Sequence, residues 1–244
     1  MTEFGKKFYE QSKRVAGEMG KLGRLDDDAA ADSTVRRVTL SVVHHPLRGT
    51  IVPKGLGDAF GVVYPKADLH IMRLNGGECA YAVSEGIADG ALVLGSCETE
   101  GLVCQLVHTH KAMVLVDQRD DLANGDVISA ADLAGRKVAP PSNLRSFYRR
   151  MERVLSRSSA GFEFSQVEDD HGSYDTFLRE GGVLFVAPDP ELERSYPSTR
   201  LLVVDDDELA VEVHLVTRRS NETAGGRMLR DFFARNDLFE DWDR

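Results

Sequence analysis

The stretch ADLHIMRLNGGECAYAVSEGIADGALVL, residues 67–94, separates an α/β fold from its alternatives. Ala67–Leu74, entered through Tyr64-Pro65, has the length and apolar spacing of a strand. Residues 76–86 read as a helix, and Ala88–Leu94 as a short apolar run suited to a buried strand. Strand, helix and strand at this spacing make a βαβ unit and predict a parallel sheet. Working outward, Val35–Val43 is β-rich, residues 46–62 are loosely helical, and Leu102–Val107 and Lys111–Val116 read as two further strands. The theme then restarts. Arg136–Ala139 is a short strand, and Asn143–Arg157 a helix with Phe147, Met151, Val154 and Leu155 on one face. Phe162–Val167 is a strand, residues 172–180 a helix and Gly182–Ala187 a buried strand. Leu201–Val204 and Leu209–Thr217 return to the first unit, and Asn221 caps a closing helix that runs through Phe233. The expected fold is α/β with two Rossmann-like lobes, joined by two crossings, and a cleft onto which strand C-termini and helix N-termini open.

Composition excludes several classes. The 244 residues carry 40 acidic and 30 basic side chains, a formal charge of −10, which argues against a whole-surface nucleic-acid binder. Three scattered cysteines, Cys79, Cys97 and Cys104, form neither a disulfide framework nor a CxxC knuckle and fit a reducing, cytoplasmic setting. No apolar run approaches the roughly eighteen residues of a membrane span, and Met1–Lys7 leads into no signal-peptide core, so no membrane partner is expected.

Ahead of the first strand, Phe4, Phe8, Val15, Met19 and Leu22 form a narrow apolar seam on an otherwise polar helix over residues 2–24. Glycines at 5, 17 and 20 weaken this helix in isolation, and a partner helix is what stabilises such a seam. Docking on its own lobe is the alternative. Asp26–Ser33 is acidic, small and aperiodic, and reads as a linker.

At several places the chain resembles the LysR-type transcriptional regulators, over their effector-binding domain and the helix that precedes it. Met1-Thr2-Glu3-Phe4-Gly5 with Phe8-Tyr9 is similar to the start of the family's linker helix, and Val35-Arg36-Arg37-Val38-Thr39-Leu40 to its first strand. Phe60 through Leu69 resembles the F-x-x-x-Y-P-x-V-x-L turn, and Val83 through Asp89 resembles L-x-x-G-x-x-D. Ser129-Ala130-Ala131-Asp132-Leu133-Ala134-Gly135 resembles S-x-x-D-L-A-G, the most specific of these pieces. The resemblance implies the bilobed fold of type II periplasmic binding proteins, with a small effector in the cleft. It also implies self-association as a homodimer or tetramer, and DNA contact only through an N-terminal winged helix-turn-helix head, which is expected to be missing here. On this reading residues 1–25 are the linker and dimerisation helix and 26–34 the acidic linker. Residues 35–116 with 217–240 form effector-binding lobe I, and 117–216 form lobe II.

The candidate ligand contacts are turns at the cleft. His44 and His45 end the first strand, and alternation along a strand predicts that one of the two is the contact. Asn75 and Gly76 follow the second strand, and Ser96 the third. Ser142 and Asn143 stand at a helix start, where free N–H groups offer an anion seat; a plain cap is the alternative. Glu168-Asp169-Asp170-His171 reads first as a helix N-terminus, whose dipole the acids complement, with Asp169 kept as a contact. The rigid turn Ala187-Pro188-Asp189-Pro190 is expected to line the pocket floor, with Ala187 and Pro188 as the candidate contacts. His108 and His110 share a strand face but have no third ligand nearby, Gly55–Gly61 has the wrong spacing for a phosphate loop, and Asp205–Glu208 reads as a solvated turn. There is no GxSxG, HExxH or CxxC, so no catalytic residue, metal or cofactor is predicted. Histidine and cap together favour a carboxylate-bearing effector. A stand-alone cytosolic solute-binding protein, or an enzyme on the same scaffold, are the rival functions.

Overall fold

The computed structural model describes residues 36–45, 47–95, 99–139, 153, 163–187, 189, 192–236 and 238–239. In chain order, β1 (Arg36–His45) is followed by β2 (Gly49–Thr50), α1 (Leu56–Val63), β3 (Ala67–Leu74), α2 (Gly76–Ser84), β4 (Gly90–Leu94) and β5 (Leu102–His110). Next come β6 (Ala112–Asp117), β7 (Val127–Ile128), β8 (Lys137–Ala139), β9 (Glu163–Phe164), α3 (His171–Arg179), β10 (Val183–Val186), α4 (Leu192–Ser195) and β11 (Thr199–Val204). The chain closes with β12 (Val211–Arg218) and α5 (Ala224–Arg235).

Two sheets result. In the first, β3, β1 and β4 run parallel, β12 and β5 continue the sheet antiparallel, and β2 pairs antiparallel with the end of β1. In the second the order is β7-β11-β6-β10-β8-β9, with β6 antiparallel to both its neighbours. Both sheets are therefore mixed, where strand–helix alternation alone predicts parallel ones. In lobe I the parallel pairs are strands whose connection runs through a helix; β12 arrives straight from the other lobe and meets β4 head to tail.

Lobe I closes around Val38, Leu40 and Val42 of β1, Leu92 of β4, Leu215 of β12 and Phe232 of α5, all at most 1% exposed. Phe60 of α1 meets Phe232 edge-on, ring centroids 5.2 Å apart. Burying each such ring contributes about 1.5–3 kcal/mol. In lobe II, β6 places Val114 and Val116 against one cluster and Leu115 against another with Tyr174 and Tyr196, so both faces of that sheet are covered.

Two motifs acquire physical reasons. Asp89 accepts a hydrogen bond from the Thr39 amide (2.8 Å) and one from the Thr223 hydroxyl (2.5 Å), tying β1 to the start of α5. Gly225 lets the carboxylate in, since a Cβ there would lie 2.5 Å from Asp89 Cγ. In the second motif the amide and hydroxyl of Ser129 both donate to Asp132, at 2.7 and 2.8 Å, folding a short 3-10 turn that buries Leu133.

The crossings lie side by side. Lys111 alone separates β5 from β6, and residues 205–210 separate β11 from β12. His110 pairs with Val211 on one side and Ala112 with Val204 on the other, while Lys111 Nζ sits 2.5 Å from Asp205 Oδ1. The strand 112–117 thus lies in the second sheet and 211–218 in the first, so both sequence-drawn boundaries, 116/117 and 216/217, fall beyond the crossings. An apolar strand suits either sheet equally, which is why its pattern does not show the switch. Asp205 also serves as an ion-pair partner and Asp206 as a cap, accepting from the Glu208 amide, beyond the solvated turn expected there.

Two further expectations change. Residues 46–62 hold β2 and a helix that starts only at Leu56, because Gly49 and Gly55 take φ of 87° and 75°. The closing helix is capped by Thr223, whose hydroxyl accepts from the Gly226 amide (2.9 Å); Asn221 lies outside it at φ 55°. Residues 1–35 and the helix predicted over Asn143–Arg157 lie outside the described residues, Arg153 apart. Among the described residues no helix is long and apolar enough to cross a membrane.

Candidate functional site at the junction of the lobes

The turn leaving β1 reaches across to lobe II. It is tightened by the Arg48 amide, which donates to the His45 carbonyl (3.1 Å), and by Gly49, whose positive φ lets the chain reverse into β2. The Leu47 amide donates to His45 Nδ1 (3.2 Å), so the neutral ring carries its proton on Nε2. That nitrogen lies 3.5 Å from Asp169 Oδ2.

Arg48 is 3% exposed. Its Nε donates to the Tyr174 hydroxyl (2.7 Å), its guanidinium carbon lies 4.8 Å from the centre of that ring, and Nη2 is 3.9 Å from Asp169 Oδ1. The Tyr174 hydroxyl in turn donates to Asp169 Oδ1. A buried guanidinium needs such partners, because an unpaired charge in this position is costly. Around this network the Arg48 carbonyl accepts from the Ala187 amide (2.9 Å), Asp189 accepts from the Thr50 amide (3.2 Å), and the Tyr196 hydroxyl donates to the Leu47 carbonyl (3.0 Å).

The electrostatics follow from burial and pairing. Desolvation pushes the Asp169 carboxyl up, but the Tyr174 hydrogen bond and the charges of His45 and Arg48 outweigh it and hold the group below the usual carboxylate range. Burial pushes His45 below the ordinary imidazole value, against the upward pull of Asp169. The two directions together describe a neutral imidazole donating Nε2–H to an ionised Asp169, with Arg48 supplying the positive charge. Burial and the bond to Asp169 raise Tyr174 to about 12, so its hydroxyl stays protonated.

His44 points to other groups. Burial, Arg73 and His45 lower its pKa while Asp189 opposes them, and its Nδ1 is buried without a hydrogen-bond partner among the described residues. Asp170 caps α3, accepting from the Ser173 amide (2.9 Å) and hydroxyl (2.6 Å), as the acidic run predicts for a helix start. Its neighbour Asp169 goes across to lobe I. Asn75 is held in a capping box with Glu78 at the start of α2, which leaves Gly76 as the first helical residue and occupies the Asn75 side-chain oxygen. Ala187 contributes its amide to the junction, as above. Ser96, Ser142, Asn143 and Pro188 lie outside the described residues.

Sequence reasoning passed over Arg48, Thr50, Tyr174 and Tyr196, whereas Asp189 belongs to the turn expected at the pocket floor. The one available signal was Arg48-Gly49 within the same turn as His45, a glycine marking close chain approach. A concavity of about 490 Å³ beside α3 is lined by residues between Gln166 and Glu180 of lobe II, with Glu168 and Asp170 on either side of Asp169 among them. Among the described residues no three His, Cys, Asp or Glu side chains converge as a metal site. His108 and His110 instead pack against each other with tilted rings, centroids 4.3 Å apart, while Phe239 stacks on His108 and meets His110 edge-on.

Two lobes, two adjacent crossings and a strand-end turn meeting a helix start form one architecture, and the family described as the LysR substrate binding domain matches residues 32–237. The chain belongs to that family. It is the effector-binding domain of a LysR-type regulator, with the two-lobed type II periplasmic-binding-protein fold. Solved LysR proteins share this fold. CbnR, a LysR family transcriptional regulator, superposes with a TM-score of 0.70 at 15% identity, covering 97% of this chain and 82% of its own. The BenM effector-binding domain with its effector benzoate gives 0.63 at 14%, covering 87% and 96%. The C-terminal domain of a probable LysR regulator from Rhodococcus sp. RHA1 gives 0.61 at 18%, covering 81% and 98%. No curated protein matches the sequence.

Proposed function

We propose that this LysR domain senses a small carboxylate-bearing metabolite held between the turn at His44–Thr50 and the facing rim of lobe II at Asp169–Tyr174 and Ala187–Asp189. The observation that carries this reading is the buried Arg48 guanidinium at the meeting point of the lobes. A guanidinium there recognises a carboxylate by charge and by its planar donor array. Binding shifts the relative placement of the lobes by its differential affinity for their two arrangements. That shift is passed to a DNA-reading head through self-association of a cytoplasmic regulator.

No bond need be made or broken. The Tyr174 hydroxyl is a poor nucleophile at about 12 and already donates to Asp169, while His45 Nδ1 is occupied by a backbone amide. Burial raises the Cys79 thiol to about 12, which leaves it inert. These features disfavour the enzyme alternative.

The test is a thermal-shift screen of carboxylic metabolites against the whole chain, followed by calorimetric titration. A saturable ligand should lose at least about tenfold in affinity in R48M, corresponding to about 1.4 kcal/mol of lost interaction. Binding unaffected by R48M, or saturable turnover of a metabolite by the purified protein, would overturn the reading.

A further inference from the structure

Three donors from two lobes converge on one carboxylate. His45 Nε2 lies 3.5 Å from Asp169 Oδ2, Arg48 Nη2 lies 3.9 Å from Oδ1, and the Tyr174 hydroxyl donates to Oδ1. Arg48 is 3% exposed, whereas the Asp169 side chain keeps 46% exposure, so Asp169 is the partner that a solute reaches first. Its neighbour Asp170 is committed to the cap of α3 and does not take its place.

We propose that His45, Arg48 and Tyr174 form a carboxylate-binding subsite whose occupant in the ligand-free chain is Asp169, and that an incoming carboxylate displaces it and loosens the contact between the lobes. This rests on the reading of the junction as the effector site and adds to it a sense of action. Two carboxylates compete for this seat, because their charges repel and the Tyr174 hydroxyl and His45 Nε2 have one hydrogen each to give. Asp169 and Tyr174 both belong to lobe II, and Arg48 and His45 to lobe I. Displacement therefore removes the contacts of Asp169 with His45 and Arg48 that span the lobes. It leaves the Arg48–Tyr174 bond, the Tyr196 hydroxyl on the Leu47 carbonyl, the Ala187 amide on the Arg48 carbonyl and the Thr50 amide on the Asp189 carboxylate.

Chemical rescue tests this without a known effector. D169A leaves the donors facing a carboxylate-sized gap, and the whole chain should melt about 2–6 °C below wild type. Acetate in the tens-of-millimolar range of a lone carboxylate should recover most of that loss, where chloride at equal ionic strength does not. Wild type should gain no more from acetate than from chloride, and R48M/D169A should show no acetate effect. If D169A does not fold, D169N serves, since its uncharged amide also leaves Arg48 without its counter-charge, and acetate should still exceed chloride. Acetate acting no better than chloride on the folded variant, or equally well on R48M/D169A, overturns the subsite. Rescue combined with no saturable carboxylate ligand for wild type upholds the subsite and refutes the effector reading. A carboxylate ligand that binds wild type but weakens in D169N refutes the displacement, which requires it to bind more tightly.

Discussion

Gly49→Ala probes how closely the lobes approach. Gly49 is buried at φ 87°, and a Cβ built there lies 2.7 Å from Asp189 Cβ and 3.0 Å from Leu192 Cδ1. Carbon atoms rest at about 3.5–4.0 Å, so the turn and lobe II must separate by about 1 Å to admit the methyl. A shift of that size breaks the 2.9 Å bond from the Ala187 amide to the Arg48 carbonyl and the 3.2 Å bond from the Thr50 amide to Asp189. The left-handed backbone adds about 1 kcal/mol for any residue with a Cβ. With about 1–3 kcal/mol for overpacking, the loss is about 2–4 kcal/mol. In a domain of this size that lowers the melting temperature by about 4–16 °C. Gly57→Ala is the control: it lies in α1 with nothing within 4 Å of the added atom, and should gain about 0.5–1 kcal/mol from helix propensity. Thermal unfolding measures both, and amide exchange at Ala187 locates the effect. If G49A melts with wild type and Ala187 exchanges no faster, the close contact between turn and lobe II is wrong.

Thr223→Val removes a hydroxyl that caps α5 and also bonds Asp89, and should cost about 1–2 kcal/mol in denaturant titration, with Thr223→Ser close to wild type. Acid should weaken the fold through its imidazoles. Burial lowers His44, His45 and His214 in the folded state, so the unfolded chain takes up protons first as pH falls. Stability is full above about pH 6.5 and declines below it, and melting curves between pH 5 and 8 should show that slope, reduced in H214Q. Asp117, held at about 2 by Arg119, adds a second loss only between its ordinary carboxylate value and about pH 2.

What could be read from the residues follows from which forces are local. β3 occupies residues 67–74 as its apolar spacing and the preceding Tyr64-Pro65 require, because strand length and turn chemistry are properties of neighbours in sequence. The acidic run before α3 declares a helix start, and Asp170 performs it. Sheet membership of the crossing strands is not local: Val211–Arg218 would be equally apolar in either sheet. The site divides along the same line. His45 stands out as a polar residue at a strand end, whereas the burial of Arg48 depends on Tyr174, 126 positions away. Tyr174, fully buried on α3, reads as an ordinary core aromatic, since its hydroxyl reveals its role only when the other lobe is in place.

The proposed displacement of Asp169 changes what a good effector must supply. A carboxylate entering the seat gains only the difference between its own bonds to Arg48 and those that Asp169 gives up. The exchange is close to isoenergetic in the bonds themselves, and Asp169, being tethered, competes at a high effective concentration. A bare carboxylate therefore binds the wild-type domain poorly however well its head group fits. Net affinity must come from the rest of the molecule, through surface it buries in the cleft. To move the balance of lobe arrangements tenfold, that remainder must favour one arrangement by about 1.4 kcal/mol, within reach of a single buried methylene or two. Discrimination among carboxylates thus rests with the walls of the cleft, while Arg48 and Asp169 set only the requirement for a charge.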